Sequence, residues 1–479
     1  MNRRHFHRVL GGAALASGFR LSGQGTQESA KFKPDWDSLR AHEVPEWYQD
    51  AKLGIFIHWG LYSVPAWATP VGELGKVDWN KWFYQNPYAE WYLNTLRLKG
   101  SPTYQHHIDT YGANFDYYQF TEAFNEKNRS WQPGDWASLF KTTGARYVVL
   151  TTKHHDGFRL WPSAVVNPHA NGRTLSVRRD LVGDLTNSVR GAGLKMGLYY
   201  SGGLDWTFTS EPIANRQDLM ARVPQSDEYA RYADAQLLEL IRRYRPSVLW
   251  NDISYPRLGQ VREIFAEYYN AVPDGVINNR FGVDFSDFTT PEYAKYDKIT
   301  EKKWESCRGL GFSFGYNQME GPKQVIAPDA LVALLVDIVS KNGNLLLNVG
   351  PKPDGTISDI QLDRLHKLGD WLSVNSEGIF GSRPWIRAAA VAADGSEVRF
   401  TRKADTVYVF YLKRPQGQTL TIPFVYAKEG TSISVLGSDA KATFSQQGPD
   451  LMVSLSGHIP ETPALGLKIT PQPFQMVSD

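Results

Sequence analysis

Six short apolar runs recur in the first four-fifths of the chain, at 53–58, 147–152, 195–201, 248–252, 275–279 and 344–349. They are continuous rather than alternating. "LGIFIH" and "YVVLTT" leave neither face of a strand for water. A strand that is apolar on both faces must be covered on both, as in a parallel sheet flanked by helices. Helical periods lie between the runs. In "SDEYARYADAQLLELIRRY", Tyr229, Ala233, Leu237, Leu240, Ile241 and Tyr244 fall on one stripe. Ser226 suits the N-cap, Asp227 and Glu228 the first turn, and Arg242, Arg243 and Arg245 the other end. Further helices are expected at 329–340 and 359–372. Repeated strand–helix units of this kind favour a (β/α)8-like TIM barrel. A doubly wound open sheet is the alternative, but no Gly-rich dinucleotide fingerprint follows any run.

The texture changes after "RPW", Arg383–Trp385. "EVRFTRKADTVYVFYLKRP", "TLTIPF", "TSISVLG", "DLMVSLSG" and "ALGLKIT" are short and β-branched, with Gly, Pro, Asp and Lys between them. That pattern predicts a C-terminal antiparallel β-sandwich. The expected division is therefore 1–31, 32–383 (barrel) and 384–479 (sandwich). The first segment, "MNRRHFHRVLGGAALASG", has Arg3-Arg4 ahead of a weakly apolar run and the small-x-small pattern Ala14-Leu15-Ala16. It reads as a twin-arginine export signal followed by a polar spacer, which implies a periplasmic or secreted protein. No later stretch has 18 uninterrupted apolar residues, so no membrane span is expected. A net charge of +2 makes no electrostatic case for nucleic acid. The single cysteine, Cys307, excludes an intrachain disulfide and a cysteine-based zinc site.

Catalysis in a (β/α)8 barrel sits at the C-terminal ends of the strands. The first run ends in His58 and the second in His154-His155. The third carries Tyr199 and Tyr200, with Asp205 and Trp206 beyond. The fourth ends in Trp250-Asn251-Asp252 and the fifth in Arg280. "DFTTPEY" then offers Glu292, and "KWESCRG" offers Glu305. One polar group beside an apolar run is commonly a cap or a satisfied core residue. A succession of them on consecutive strand ends points to a site.

Three chemistries compete for these residues. Zinc needs about three His or carboxylate ligands and an open position. Adjacent residues of a strand point to opposite faces, so His154 and His155 meet only if the backbone bends. A serine hydrolase would need a Gly-x-Ser-x-Gly elbow, and none stands at the end of any of these runs. Two carboxylates in an aromatic mouth lined by His, Tyr, Trp and Arg fit glycoside hydrolysis, where one stabilises or attacks the anomeric carbon and the other protonates the leaving oxygen. The chain is rich in the aromatic residues that cover a pyranose face, with 15 Trp, 24 Tyr and 23 Phe.

"WYQDAKLGIFIHWGLYSVPAW", "NPYAEWY", "YVVLTTKHHDGFRLWPS", "LKMGLYYSGGLDW", "PSVLWND", "GFSFGYN" and "NGNLLLNVGPKPDG" occur in that order. Together they resemble the α-L-fucosidases of glycoside hydrolase family 29, from about residue 34 onward. The resemblance implies a barrel with a C-terminal β-sandwich, a retaining mechanism, a fucosylated oligosaccharide as partner, and no metal or cofactor. It places the nucleophile at Asp252 and the acid/base at Glu292, with Glu305 as the rival for the second role. It places fucose-binding groups at His58, Glu90, His154, His155, Tyr199, Trp250 and Arg280, an aromatic near the fucose methyl at Phe314, and Trp91 beside them. Many relatives have Gly after the nucleophile. Here "NDIS" puts Ile253 in that place, which bears on the shape of the loop.

The histidine pair is expected to donate to sugar hydroxyls, with Lys153 and Asp156 orienting it and Gly157 turning the chain. The competing reading is a fucose-binding, lectin-like protein with an inactive barrel. Oligomerisation is left open. Export through the folded-protein route predicts that Arg3→Lys combined with Arg4→Lys retains the precursor in the cytoplasm. Cell fractionation checks this, and undiminished periplasmic recovery would rule the signal out.

Overall fold

The computed structural model describes residues 31–392, 394–413 and 417–474. The expected export signal, with Arg3, Arg4 and the 14–16 motif, lies outside the described residues. Seven parallel strands form one curved sheet: β1 (Leu53–Ile57), β2 (Tyr147–Lys153), β3 (Lys195–Tyr200), β4 (Val248–Asn251), β5 (Val276–Ile277), β6 (Trp304–Gly309) and β7 (Gly343–Val349). Their order is β5-β4-β3-β2-β1-β7-β6. The helices Leu181–Gly191, Asp227–Tyr244, Val261–Ala271 and Pro328–Ser340 return the chain between successive strands. The longest crossover, from β1 to β2, holds five short helices, among them Trp79–Tyr84 and Pro133–Thr142.

β6 is not among the apolar runs. Its sequence, "WESCRG", carries two charges, yet all but Arg308 are buried. Glu305 is tolerated there because three donors meet it inside the barrel. The Tyr48 and Tyr147 hydroxyls both donate to its Oε2, and Trp250 Nε1 donates to Oε1 at 3.0 Å. Burial raises the Glu305 pKa, and these hydrogen bonds partly offset that rise. Tyr147 reaches Glu305 by lying across β1, where Gly54 leaves it room. A Cβ on Gly54 would sit 2.4 Å from Tyr147 Cζ.

The remaining irregularity lies between β5 and β6. No α-helix joins them, only a single 3-10 turn at Asn279–Phe281. Residues 288–292 run between the two strands as isolated parallel bridges, Asn278 to Phe288 on one side, and Thr289 to Trp304 and Glu292 to Cys307 on the other. The Asp287 N–H donates to Ile277 O at 2.9 Å, Glu305 N–H to Thr289 O at 2.8 Å, and Cys307 N–H to Pro291 O at 3.1 Å. This segment occupies the eighth place of the ring. Pro291 has no N–H to give, so the ladder is incomplete there and does not register as a regular strand.

Beyond β7 and the helix Asp359–Asn375 the architecture becomes antiparallel. β8 (Arg383–Val391), β9 (Glu397–Lys403), β10 (Thr406–Tyr411), β12 (Ser432–Val435) and β15 (Leu465–Thr470) form a sheet ordered β12-β15-β10-β9-β8. β11 (Thr419–Ile422), β13 (Lys441–Gln447) and β14 (Asp450–Ser456) form a second, ordered β11-β14-β13. Alternate residues such as Val407, Val409, Leu451, Val453, Leu465 and Leu467 face inward and build a separate core between them. The sandwich is tied to the barrel by buried contacts. Arg399 of β9 pairs with Asp337 at 2.5 Å, and Trp371 Nε1 donates to Ala464 O at 2.9 Å. Among the described residues, no helix is long and apolar enough to cross a membrane.

The Gly54–Tyr147–Glu305 packing predicts that Gly54→Ala displaces the Tyr147 ring and destabilises the fold by about 1–3 kcal/mol. Denaturant unfolding checks this, and an unchanged midpoint would show that the barrel interior has slack at β1.

Candidate active site

The C-terminal strand ends converge on one cavity of about 270 Å³. All eleven residues singled out above line it: His58, Glu90, Trp91, His154, His155, Tyr199, Trp250, Asp252, Arg280, Glu292 and Phe314. Glu305 does not. It lies within the barrel interior, held by its three donors. Of the remaining strand-end groups, Tyr200 donates to Gln236 and Asp205 pairs with Lys153, so both serve packing.

Asp252 follows β4 and sits at the centre. Its Oδ1 accepts from Arg280 Nη1 at 2.8 Å, and its Oδ2 from the Tyr199 hydroxyl at 2.9 Å. Burial alone would raise its pKa. The Arg280 charge, with the hydrogen bonds of Arg280 and Tyr199, outweighs burial and holds the carboxyl below its usual range. The backbone after it is strained. Ile253 has φ +50° and Ser254 φ +71°, a left-handed pair that begins with a β-branched residue. The peptide is clamped from two sides. The Gly203 N–H donates to Asp252 O at 3.0 Å, and the Ser254 N–H to Arg280 O at 2.9 Å. Gly203 lies so close that a Cβ there would fall 1.5 Å from Ile253 O. On the strand side, the Asn251 N–H donates to Asn278 Oδ1 at 3.1 Å, and Asn278 Nδ2 returns a bond to Asn251 O at 2.9 Å.

Arg280 lies on a single turn, Asn279–Phe281, directly after β5. Its guanidinium carbon stands 4.6 Å from the centre of the Trp250 ring. One prong holds Asp252 and the other, Nη2, reaches Glu292 Oε2 at 3.1 Å. Glu292 Oε1 accepts from the Tyr88 hydroxyl at 2.9 Å. The irregular eighth segment is what carries Glu292 to this point, opposite Cys307 of β6.

His58 and His155 are wired as acceptors toward the cavity, which for His155 goes against the expectation that the pair donates. Asn348 Nδ2 donates to Phe314 O at 2.6 Å, so its Oδ1 faces His58 Nδ1 at 2.7 Å and must accept. His58 therefore carries its proton on Nδ1 and leaves Nε2 bare. The Ser201 hydroxyl gives its one proton to Leu204 O at 2.7 Å, so it accepts from His155 Nδ1 at 2.6 Å. His155 Nε2 is then bare as well. Burial pushes the His58 pKa down to about 3 and that of His155 to about 4, so both rings are neutral at ordinary pH. Burial and its histidine neighbours also lower His154, whose Nδ1 is buried without a partner.

The two adjacent histidines share one cavity because β2 has already ended at Lys153. Gly157, at φ +76°, turns the chain and donates its N–H to His154 O at 3.1 Å. The two rings come to 3.9 Å between centres. Lys153 and Asp156 do not orient them. Lys153 pairs with Asp205 at 2.8 Å, and Asp156 accepts from Tyr117 at 2.8 Å. Nor does Arg308 pair with Glu305, since it reaches Glu73 at 3.2 Å.

Glu90, on the turn Ala89–Trp91, accepts from the Gly315 N–H at 2.7 Å. Burial pushes its pKa up to about 7. Trp91 meets His155 edge-on at 5.5 Å, and Phe314 packs on His58 at 4.9 Å. The sequence reading missed Tyr88, two positions ahead of Glu90 in "NPYAEWY", and it missed the outer wall of Leu74, Trp79, Arg216 and Leu219. Those four lie in excursions between strands, where nothing in the local pattern marks them. Among the described residues, no group of three or more His, Cys, Asp or Glu side chains is placed to hold a metal ion.

A family model described as Alpha-L-fucosidase matches residues 21–377. The chain belongs to this fucosidase family. It is 33% identical to the alpha-L-fucosidase of Dictyostelium discoideum over 424 residues, covering 86% of this chain and 87% of the relative. It is 32% identical to the tissue alpha-L-fucosidase of Homo sapiens over 444 residues, covering 90% and 89% of the two chains. Among solved structures, Thermotoga maritima alpha-fucosidase in complex with fucose matches with a TM-score of 0.83 and 46% identity, over 92% of this chain and all of that one. The barrel and sandwich are thus the fucosidase fold, and the cavity is the candidate fucosidase active site.

The contact of Gly203 with the Asp252–Ile253 peptide predicts that Gly203→Ala shifts Asp252 and lowers kcat on an aryl α-L-fucoside by about a hundredfold. Circular dichroism should show a retained fold. Wild-type turnover would mean that this peptide does not set the carboxylate.

Proposed function

We propose that the chain is an exo-acting, retaining α-L-fucosidase that removes terminal α-linked L-fucose through a covalent fucosyl-enzyme on Asp252, with Glu292 as acid/base. The observation that carries this reading is the Arg280 fork, which holds one carboxylate on each prong at the inner end of a closed pocket. A retaining glycosidase needs its two carboxyl groups about 5–5.5 Å apart, and two carboxylates on one guanidinium are compatible with that spacing. A pocket walled off by buried Phe56 and Trp250 admits a chain end, which favours exo attack.

In the first step Asp252 attacks the anomeric carbon and the glycosidic bond breaks, while the Glu292 proton passes to the leaving oxygen. In the second, Glu292 takes a proton from water, whose oxygen displaces Asp252 and restores the original anomeric configuration. Asp252 is suited to attack because Arg280 keeps it ionised. The bare Nε2 atoms of His58 and His155 accept from ring hydroxyls. A galactose-type hydroxymethyl placed against Phe314 would find no partner there. The relatives lend support, since the Thermotoga maritima alpha-fucosidase has been solved with fucose and with a mechanism-based inhibitor. The Arg3-Arg4 segment supports a periplasmic or secreted site of action.

Azide separates the two roles. Asp252→Ala should lose several powers of ten in kcat, and azide should then yield β-L-fucosyl azide by direct displacement. Glu292→Ala should lose far more activity on natural oligosaccharides than on activated aryl fucosides, and azide should yield the α-anomer from the fucosyl-enzyme. Product NMR distinguishes the anomers. If Glu305→Ala, and not Glu292→Ala, gives the α-azide, Glu305 is the acid/base.

A further inference from the structure

The cavity changes chemistry along its depth. His58, Glu90, His154, His155 and Asp252 are buried, whereas Leu74, Trp79, Leu219 and Ile253 are only half-buried and Arg216 is exposed. The second group therefore forms the mouth. Trp79 stands on the helix Trp79–Tyr84 and Arg216 and Leu219 on the helix Arg216–Ala221, and these two helices pack together. The guanidinium carbon of Arg216 lies 5.2 Å from the centre of the Trp79 ring. Among the described residues no carboxylate pairs with it.

With fucose in the buried polar end, the leaving group has to emerge through this mouth. Its wall presents an aromatic face and aliphatic side chains, and of the charged residues lining the cavity only Arg216 is exposed and without a counter-ion, since the half-buried Arg280 and Glu292 pair with each other. We propose that Leu74, Trp79 and Leu219 seat the first ring of the leaving group by its apolar face, and that Arg216 selects rings bearing an acceptor or anionic substituent at the edge. Trp79 offers a flat partner for an aryl ring or the C–H face of a pyranose. Arg216, already stacked, keeps its N–H groups free at the rim for a carboxylate or sulfate. This assignment rests on the fucosidase reading and specifies its preferred leaving group.

The test compares three substrates in the full-length enzyme. α-L-Fucosyl fluoride has a leaving group too small to reach the mouth. A neutral aryl α-L-fucoside and one with a ring carboxylate, matched in leaving-group acidity, both reach it. Trp79→Ala should lower the aryl-to-fluoride ratio of kcat/KM by about tenfold relative to wild type. Arg216→Gln should lower the carboxylated-to-neutral ratio by about fivefold, and in wild type that ratio should shrink as salt is raised. Because each readout is a ratio, a general loss of folded enzyme cancels. Wild-type ratios in both variants would overturn the assignment, as would equal losses on fluoride and aryl substrates. If wild type hydrolyses none of the three, the fucosidase reading itself fails.

Discussion

Asp252 is a carboxylate buried at the end of a barrel strand, and its surroundings are arranged to keep it charged. An isolated buried carboxylate takes up a proton rather than pay the desolvation cost. Here Arg280 and Tyr199 each bond one of its oxygens. Arg280 is in turn fixed by stacking on Trp250 and by bonds to Thr290 and Glu292. Trp250 is anchored by Glu305 deep in the barrel. A chain of named contacts thus runs from the barrel interior to the Asp252 carboxylate.

The same economy of donors explains the histidines. On His58 and His155 the ring nitrogen that faces the protein donates its proton to an acceptor whose own hydrogen-bonding capacity is already committed elsewhere. Low pKa values then keep the rings neutral. The pocket therefore presents acceptors on the histidine side and cationic donors from Arg280 on the other. A polyhydroxylated ring, which both donates and accepts, suits such a division.

Departures from the regular barrel coincide with the site. The eighth position is an interrupted ladder instead of a strand, and it delivers Glu292 to the second prong of Arg280. The left-handed Ile253–Ser254 pair follows Asp252 directly. β2 ends early enough for two neighbouring histidines to turn the same way. Local strain of this kind persists only where surrounding contacts over-determine it, and here Gly203, Arg280 and Asn278 supply them.

The barrel and the sandwich were legible in the sequence because burial on both faces of a strand leaves a continuous apolar run, and burial on one face leaves alternation. The strand-end residues were legible too, as polar groups beside such runs, while Glu90, Trp91 and Phe314 came only through the family resemblance; the structure collects all eleven candidates in one cavity. β6 was not, since its Glu305 is satisfied by Tyr48, Tyr147 and Trp250 from elements distant in the chain. That same arrangement separates in space two glutamates that local sequence leaves equivalent, with Glu305 buried in the barrel and Glu292 on the pocket wall. The proton positions on His58 and His155, and the mouth built by Trp79 and Arg216, likewise came only with tertiary structure. Apolar periodicity is a local property of the chain, whereas the direction of a hydrogen bond and the partner of a charge depend on residues that only folding brings together.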